Sequence, residues 1–369
     1  MKSLTDYIVP WVRASETYSD AHMDFAWEHP EILRLMSNEN LIAPSENVLE
    51  AVAAAARLGN LYPGSAVRLR QLLGNRADLP ANQVVLGNGS TDVINFTINT
   101  FVAPGEEVII PVPTFSMYEA RLRINGGVPV LVPLTPAPEF DWDVDAIQTA
   151  ITDKTKLIII CTPNNPTGKQ IKLEDLLRIL DTKLPVFIDE AYYELEDNPR
   201  SLVHLIQNFP NAIVSRTMSK AYGIAGFRLG YAYAGQEFAS YLNRVRFPWN
   251  VSLVAIAAAL AALEDEDDQH RKRQNTLHGR RLLCSEIDKI PPLEAYPSEG
   301  NFVLIDASRL GKTSLQIRDD IIARGIFIRP MSPHHMPEGF VRVTVGTPEQ
   351  NQRFLEILRK YTAECLSRQ

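Results

Sequence analysis

Cysteine is scarce in this chain, and no uninterrupted apolar run is long enough to cross a membrane. Cys161, Cys284 and Cys365 lie far apart without CxxC spacing, which argues against a disulfide framework or a zinc site and predicts a reducing compartment. The longest apolar stretch, residues 251–263, is shorter than a bilayer span, and the first residues lack the apolar core of a signal peptide. We therefore expect a cytoplasmic protein without a membrane partner.

The chain also contains fewer basic than acidic residues, 37 against 44. The 369 residues carry a formal net charge of −7, so a phosphate backbone would on average be repelled, and we expect no nucleic-acid partner. With 45% hydrophobic and 22% charged residues, the composition is that of a globular protein with room for two domains. The acidic run at residues 264–268 is interpreted as a solvated helix face or turn.

Short β-branched segments alternate with helix-length segments through the first two thirds of the chain, which predicts a mostly parallel sheet covered by helices on both faces. From about residue 250 the pattern changes to that of a smaller α+β domain. We predict an N-terminal segment at 1–45 that packs on the small domain or on a partner, a large α/β/α domain at 46–250 and a small domain at 251–369. The predicted strands are 84–87, 107–112, 128–132, 156–161, 184–189, 212–216, 228–234, 301–306, 326–329 and 340–345.

Four loops that follow predicted strands carry polar residues, and ligands of open α/β sheets bind at the carboxyl ends of strands. Gly87-Asn-Gly-Ser-Thr-Asp92 opens a helix and could hold a phosphate, or could be a plain turn with a helix cap. Thr162-Pro-Asn-Asn-Pro-Thr-Gly168 fixes Asn165 as a side-chain donor, unless it is only a Pro/Gly turn. Asp189-Glu-Ala-Tyr192 places a carboxylate at a strand end, where an N-cap is the alternative.

The fourth loop carries Lys220 among small and hydroxyl residues, with Arg228 eight residues later. A lysine that forms a Schiff base must lose its proton, and a crowded pocket with a nearby cation lowers its pKa. An isolated lysine is more often a solvated surface group. Whether Lys220 is instead a covalent anchor for a cofactor therefore depends on the residues of the other loops. An amine, a carboxylate, side-chain donors and a phosphate cradle are together what a pyridine cofactor acting as an electron sink requires.

In this order, the motifs resemble those of the class I and II (fold-type I) pyridoxal-phosphate aminotransferases over about residues 38–346. Within that family the chain is most similar to the histidinol-phosphate aminotransferase branch. That similarity rests on Asn38-Glu-Asn40, Leu61-Tyr62-Pro63, Pro113-Thr-Phe-Ser-Met-Tyr118, residues 219–230 and residues 341–347.

The resemblance implies a role for each matching residue. Lys220 would form the Schiff base with pyridoxal 5'-phosphate and move the substrate Cα proton, Asp189 would pair with the pyridinium nitrogen, and Asn165 and Tyr192 would donate to the ring oxygen. Phe115 would stack on the ring. The phosphate would be held by Ser90, Thr91, Thr217, Ser219 and Arg228 and, from the neighbouring subunit of a homodimer, by Tyr62.

For the substrate, the resemblance implies that Arg342 binds the acidic group, with Arg329 as a second arginine and Asn38 as a further substrate-binding residue. A surface or interdomain ion pair is the alternative for both arginines. The chain departs from the branch at Leu41-Ile42, where a proline and an aromatic residue are usual. It also departs at His334-His335, which could line the pocket or lie in a loop. No metal site is predicted, because no third ligand stands at suitable spacing.

The resemblance thus implies a ping-pong aminotransferase with a small-molecule amino donor and a 2-oxo acid. The leading pair is histidinol phosphate and 2-oxoglutarate, which is a step of histidine biosynthesis. Two alternatives stay open, namely an aromatic amino acid aminotransferase and a phosphothreonine-type decarboxylase on the same scaffold. A non-enzymatic regulator is less favoured, because such a protein would be expected to lose Lys220 or gain a DNA-binding domain.

Overall fold

The computed structural model describes residues 3–367, so the outermost residues of the predicted terminal segments lie outside it. The strands, in chain order, are β1 (Leu33–Arg34), β2 (Val84–Gly87), β3 (Glu107–Val112), β4 (Val128–Pro133), β5 (Thr155–Cys161), β6 (Val186–Asp189), β7 (Ala212–Thr217), β8 (Gly230–Ala234), β9 (Glu294–Tyr296), β10 (Phe302–Asp306), β11 (Ile326–Phe327), β12 (Arg329–Pro330) and β13 (Phe340–Thr344).

The α-helices lie between and around these strands. They are α1 (Pro10–Ala14), α2 (Ala21–Glu28), α3 (Glu46–Ala56), α4 (Val67–Arg76), α5 (Ser90–Phe101), α6 (Met117–Ile124), α7 (Val144–Thr149), α8 (Leu173–Leu180), α9 (Gln236–Val245), α10 (Leu253–Glu264), α11 (Glu266–Ile287), α12 (Ser314–Ile322) and α13 (Pro348–Leu366). Within residues 3–367, none of these helices combines the length and the apolar character that a bilayer span requires.

The large sheet has seven strands in the order β2-β8-β7-β6-β5-β3-β4, and only β8 runs against its neighbours. This confirms the predicted mostly parallel α/β sheet. Its central strands are buried on both faces, which is why they contain continuous apolar runs. Along β5, Ile158 and Ile160 face one hydrophobic core, whereas Leu157 and Ile159 face another.

A second, antiparallel sheet has the order β12-β13-β10-β9 and is covered by helices that include α11 and α13. The segment 326–329, predicted as one strand, is divided between two sheets: β11 pairs with β1, and β12 pairs with β13. The short strand β9 follows Pro291-Pro292 and was not predicted. Helix α10 packs into the core of the large sheet together with α3. The domain limits at residues 45 and 250 stay predictions.

The N-terminal segment crosses between the two sheets. Leu35 lies in the core of the second sheet, and the Thr344 amide donates to the Leu35 carbonyl at 2.9 Å. The indole of Trp11, in contrast, lies over Gly126 next to the large sheet, where an added Cβ would meet its ring at 2.9 Å. The segment therefore bridges both parts of the fold and brings residues 18–23 and 36–38 to the cleft between them.

The acidic run at residues 264–268 is more than a solvated face, which corrects the sequence-based interpretation. Asp265 caps α11 through a hydrogen bond from the Asp268 amide at 3.2 Å. Asp268 is itself buried and accepts a hydrogen bond from fully buried Lys272 Nζ at 2.6 Å. Lys272 Nζ also donates to the carbonyl of Tyr222 at 3.0 Å, close to Lys220 in the chain.

Candidate active site

A cavity of about 500 Å³ lies at the carboxyl ends of the large-sheet strands, between that sheet and the second one. Asp189 is the last residue of β6, Thr217 is the last residue of β7, and the loop after β7 brings in Lys220. The predicted site residues that line this cavity are Asn38, Ser90, Thr91, Phe115, Asn165, Asp189, Tyr192, Thr217, Ser219, Lys220, Arg228, Arg329 and Arg342.

Lys220 points its amine into this cavity. Its Nζ donates to the carbonyl oxygen of Ser37 at 3.1 Å, and the Asn40 amide holds the Lys220 carbonyl from behind at 3.3 Å. Burial, followed by the positive charge of Arg342, lowers the pKa of Lys220 to about 8. A substantial fraction of the amine is then neutral near physiological pH, which is the form that attacks a carbonyl carbon.

Asp189 is a buried carboxylate with one oxygen satisfied and one free. Its Oδ2 accepts a hydrogen bond from the Tyr118 hydroxyl at 2.7 Å, whereas Oδ1 is buried and has no hydrogen-bond partner among the described residues. Burial raises the pKa of Asp189 to about 6, against the opposing effect of the Tyr118 hydrogen bond. A buried, unpaired carboxylate oxygen is costly, and a protonated ring nitrogen is a group that would satisfy it.

Tyr118 is a site residue to which sequence reasoning gave no role. Its motif, residues 113–118, carries part of the resemblance to the family, but nothing in the sequence indicates a contact between Tyr118 and Asp189. In the structure Tyr118 is at once a core residue and a site residue. It is fully buried on α6, and its hydroxyl donates a hydrogen bond to Asp189.

The turn before α5 forms an anion cradle. Gly89 has φ = 78°, a conformation that favours glycine, and a Cβ there would overlap with the Arg228 guanidinium. Ser90 and Thr91 form the first turn of α5, where backbone N–H groups are free to bind a negative charge. Burial lowers the pKa of Arg228, and within residues 3–367 no acidic group counters that effect.

Two hydroxyls from the other side of the cavity complete this cradle. Thr217 Oγ1 and Ser219 Oγ lie 3.0 Å apart, and the Ser219 amide donates to Thr217 Oγ1 at 3.1 Å. Both residues are buried and line the same cavity as Arg228, and Thr217 Oγ1 also lies 3.4 Å from the Leu229 carbonyl. The donor set fits a phosphate group.

The Pro/Gly loop that follows β5 is more than a turn, because its side chains are tied down. The Asn164 amide donates to the Pro113 carbonyl and to Thr167 Oγ1, each at 3.0 Å. Asn165 Oδ1 accepts from Arg342 Nη1, which leaves the Asn165 amide nitrogen as the group able to donate into the cavity.

Tyr192 and Phe115 are two aromatic residues that line the cavity. The Tyr192 hydroxyl accepts a hydrogen bond from Asn38 Nδ2 at 3.0 Å, and burial raises the pKa of this phenol, so it remains a donor. Phe115 packs edge-on against Tyr118, with 5.6 Å between the ring centroids. Phe115 lines the same cavity as Asp189 and Arg228, so its side chain is available to pack against a bound ring.

Arg329 and Arg342 are directly opposite each other on the paired strands β12 and β13. Like charges at such a position repel each other unless an anion lies between them. Arg342 is 6% exposed, donates from Nη2 to the Met36 carbonyl at 2.7 Å, and has a buried Nε without a partner among the described residues. Burial lowers the pKa of Arg342 to about 10 and also lowers that of Arg329. Neither arginine forms an ion pair with a carboxylate of the described residues.

The rim of the cavity contains residues that the sequence does not single out. Tyr18, His22 and Met23 come from the N-terminal segment, and Met331 comes from the loop after β12. The same loop carries the two histidines at the departure from the branch motif: His334 lines the cavity, whereas His335 faces Glu119 with 3.0 Å between Nε2 and Oε2. No cluster of metal-ligating side chains occurs within residues 3–367.

Two predicted features lie away from the cavity. Tyr62 is 81% exposed and stacks on Trp249 with 5.0 Å between ring centroids, so it does not reach the cavity of its own chain. Leu41, at the departure from the branch motif, packs against the core of the second sheet. It therefore adds no polar group to the site.

Comparison with known proteins agrees with this geometry. The family model described as aminotransferase class I and II matches residues 30–358. The chain is 38% identical to the histidinol-phosphate aminotransferase of Symbiobacterium thermophilum over 90% of this chain and 91% of that protein. It is 36% identical to the enzyme of the same name from Methanocella arvoryzae, over 94% of each chain.

A solved structure supports the fold at lower identity. The histidinol-phosphate aminotransferase of Sinorhizobium meliloti, solved in complex with pyridoxal-5'-phosphate, superposes with a TM-score of 0.86 at 22% identity, covering 97% of this chain and 98% of that one. With the family match spanning most of the sequence, and with a buried lysine, an unpaired aspartate and an anion cradle at the strand ends, the chain belongs to the class I and II aminotransferases.

Proposed function

We propose that this enzyme transfers an amino group from histidinol phosphate to 2-oxoglutarate in a ping-pong reaction, a step of histidine biosynthesis. The observation that carries the proposal is the pair of buried Arg342 and half-buried Arg329, which lie opposite each other beside Lys220 and have no carboxylate partner among the described residues. Curated relatives that are 36–38% identical over about nine tenths of the chain bear the name of this activity. The arginine pair and the names of the relatives both support an anionic amino donor.

The protein is a pyridoxal-phosphate-dependent aminotransferase, and three features of its own residues fit that cofactor. The unpaired Asp189 Oδ1 suits a ring nitrogen, the cradle of Gly89 and Arg228 suits the phosphate, and the Lys220 amine suits the aldehyde. Bound pyridoxal phosphate supplies an electron sink for the negative charge that develops at the substrate Cα.

The residues around the cofactor position would then have distinct tasks. We assign to Lys220 the covalent attachment of the cofactor and the movement of the Cα proton by Nζ, for which a lowered pKa is required. Asp189 would keep the ring nitrogen protonated through a charge-assisted hydrogen bond. The Tyr192 hydroxyl and the Asn165 amide would donate to the ring oxygen, and Phe115 would pack on the ring face.

The two arginines would bind both substrates in turn. In histidinol phosphate the phosphate ester occupies the place that the α-carboxylate has in glutamate, so one anion site serves both half-reactions. Arg342 is held by the Met36 carbonyl and by Asn165, which fixes its guanidinium in one orientation. A fixed guanidinium favours oxyanions of defined geometry.

The site also points to a homodimer. Tyr62, Phe247 and Trp249 are 81%, 73% and 60% exposed, and Tyr62 and Trp249 stack on one another. An exposed aromatic patch of this kind is typical of an interface. We propose that it packs against a second copy and that Tyr62 reaches the phosphate of the neighbouring site. A molar mass of one chain by light scattering would contradict this.

The proposed location of the protein is the cytoplasm.

Half-reaction spectra test the substrate assignment. Holoenzyme mixed with histidinol phosphate alone is expected to lose the absorbance of the aldehyde form of the cofactor, and 2-oxoglutarate is expected to restore it. If phenylalanine discharges the absorbance and histidinol phosphate does not, the enzyme is an aromatic aminotransferase. Release of carbon dioxide from phosphothreonine would show a decarboxylase instead.

A further inference from the structure

The loop after β12 is held against helix α6. His335 has φ = 60°, and its Nε2 lies 3.0 Å from Glu119 Oε2 on α6. Glu119 is itself held by Arg123, whose Nη2 donates to Oε1 at 2.8 Å. This contact links the loop after β12 to helix α6, and the preceding residue, His334, lines the cavity.

His334 stands in a strongly positive environment. The groups that act on it are Arg329 on β12, Arg342 on β13, the adjacent His335 and His22 on α2. Burial, followed by the charges of Arg329 and Arg342, lowers the pKa of His334 to about 3. Its imidazole is therefore neutral at physiological pH and has one N–H to donate.

The two arginines do not use up the acceptor capacity of a phosphate group. A phosphate monoester has three terminal oxygens, each of which accepts more than one hydrogen bond, whereas a carboxylate has two oxygens that one arginine fork can bind. Arg342 already directs one N–H of Nη1 to Asn165 and one N–H of Nη2 to Met36, which leaves it fewer donors for a substrate anion. A further donor beside the two arginines therefore favours a phosphate over the carboxylate of glutamate.

We propose that His334 supplies this donor, and that its imidazole N–H binds a phosphate oxygen held between Arg329 and Arg342. His334 is then the residue by which the site distinguishes a phosphate-bearing amino donor from a carboxylate-bearing one. The inference rests on the proposed function, and it assigns a role to the stretch in which the chain departs from the branch motif.

The test is the kinetics of His334→Leu in the holoenzyme. We expect the KM for histidinol phosphate to rise about tenfold, equivalent to about 1.4 kcal/mol, because a hydrogen bond to a charged group is lost. The kcat and the KM for 2-oxoglutarate should stay within about twofold, as they should when one ground-state contact is removed. His334→Gln, which keeps an N–H donor, should retain most of the affinity.

His204→Leu is the matched control, since His204 is exposed and lies outside the cavity residues. Equal KM values for histidinol phosphate in wild type and His334→Leu would overturn the inference. An equal rise in the KM values for histidinol phosphate and 2-oxoglutarate would also overturn it. Cofactor absorbance and thermal midpoint report whether each variant is folded.

Inorganic phosphate separates failure of this inference from failure of the proposed function. Wild-type holoenzyme that does not react with histidinol phosphate refutes the proposed function. In that case, inhibition of the glutamate half-reaction by inorganic phosphate still decides the role of His334. The inhibition constant should be about tenfold higher in His334→Leu than in wild type; equal constants would refute that role.

Discussion

The unpaired carboxylate of Asp189 predicts that one substitution will stabilise the apoprotein and weaken the holoenzyme. Asp189 is 2% exposed, and its Oδ1 has no partner among the described residues. Its pKa is raised from 3.8 to about 6 by burial. A folded-state pKa above the unfolded value means that stability falls as pH rises between the two values. Asp189→Asn removes the charge and with it this pH-dependent cost.

The size of the effect follows from the shift in pKa. About two units at about 1.4 kcal/mol each give about 3 kcal/mol at pH 8, where the group is ionised in both states. At pH 5 the native carboxyl is mostly protonated, while the unfolded one is not, and the cost falls to about 1.5 kcal/mol. Apo Asp189→Asn should therefore exceed apo wild type in stability, by a margin that doubles from pH 5 to pH 8.

Urea denaturation of the two apoproteins at pH 5 and pH 8 measures this margin, and Asp145→Asn, at an exposed carboxylate, is the control. The same variant should bind pyridoxal phosphate more weakly and lose activity, because the charged partner of the ring nitrogen is gone. Equal unfolding midpoints at pH 8, or a margin that does not change with pH, would refute the assignment of Asp189 as an unsatisfied anion.

Three further predictions concern the rest of the site. Gly89→Ala should raise the dissociation constant for pyridoxal phosphate, measured by titration, because a Cβ there would overlap with Arg228; Gly64→Ala, with open space around it, is the control. Tyr118→Phe should lower kcat by about tenfold to a hundredfold, since the lost hydrogen bond to Asp189 is charge-assisted and buried; an unchanged kcat would exclude this role. The rate at which the apoprotein takes up pyridoxal phosphate should increase as pH rises towards about 8 and then level off, because only the neutral Lys220 amine reacts; a rate independent of pH below 8 would contradict this.

The sequence predicted the sheet well because its signals are local. Central strands such as β5 and β6 are buried on both faces, so they are continuous apolar runs bounded by Pro, Asn or Asp. Prediction failed where pairing is decided at a distance. The segment 326–329 has one apolar pattern, yet the first half pairs with Leu33–Arg34 and the second half with β13.

The acidic run at residues 264–268 is a second case in which contacts between distant segments decide the structure. Five consecutive acidic residues are typical of a solvated surface, and nothing nearby in the sequence identifies Asp268 as the one that is buried. Its partner Lys272 lies one helical turn away, but both are enclosed because the loop after Lys220 packs over them. The pattern of charge along a chain does not reveal which face a distant loop will cover.

By itself, the sequence determined the α/β fold, the family and the identity of Lys220, Asp189, Asn165 and Arg228 as site candidates. Each of these residues ends, follows or immediately precedes a strand of the large sheet and so occupies a position that topology fixes. Only the tertiary structure decided which groups lack partners. The free Oδ1 of Asp189, the hydroxyl of Tyr118 and the opposition of Arg329 to Arg342 depend on contacts between segments far apart in the chain. Their chemistry comes from burial and proximity, which are properties of the folded molecule.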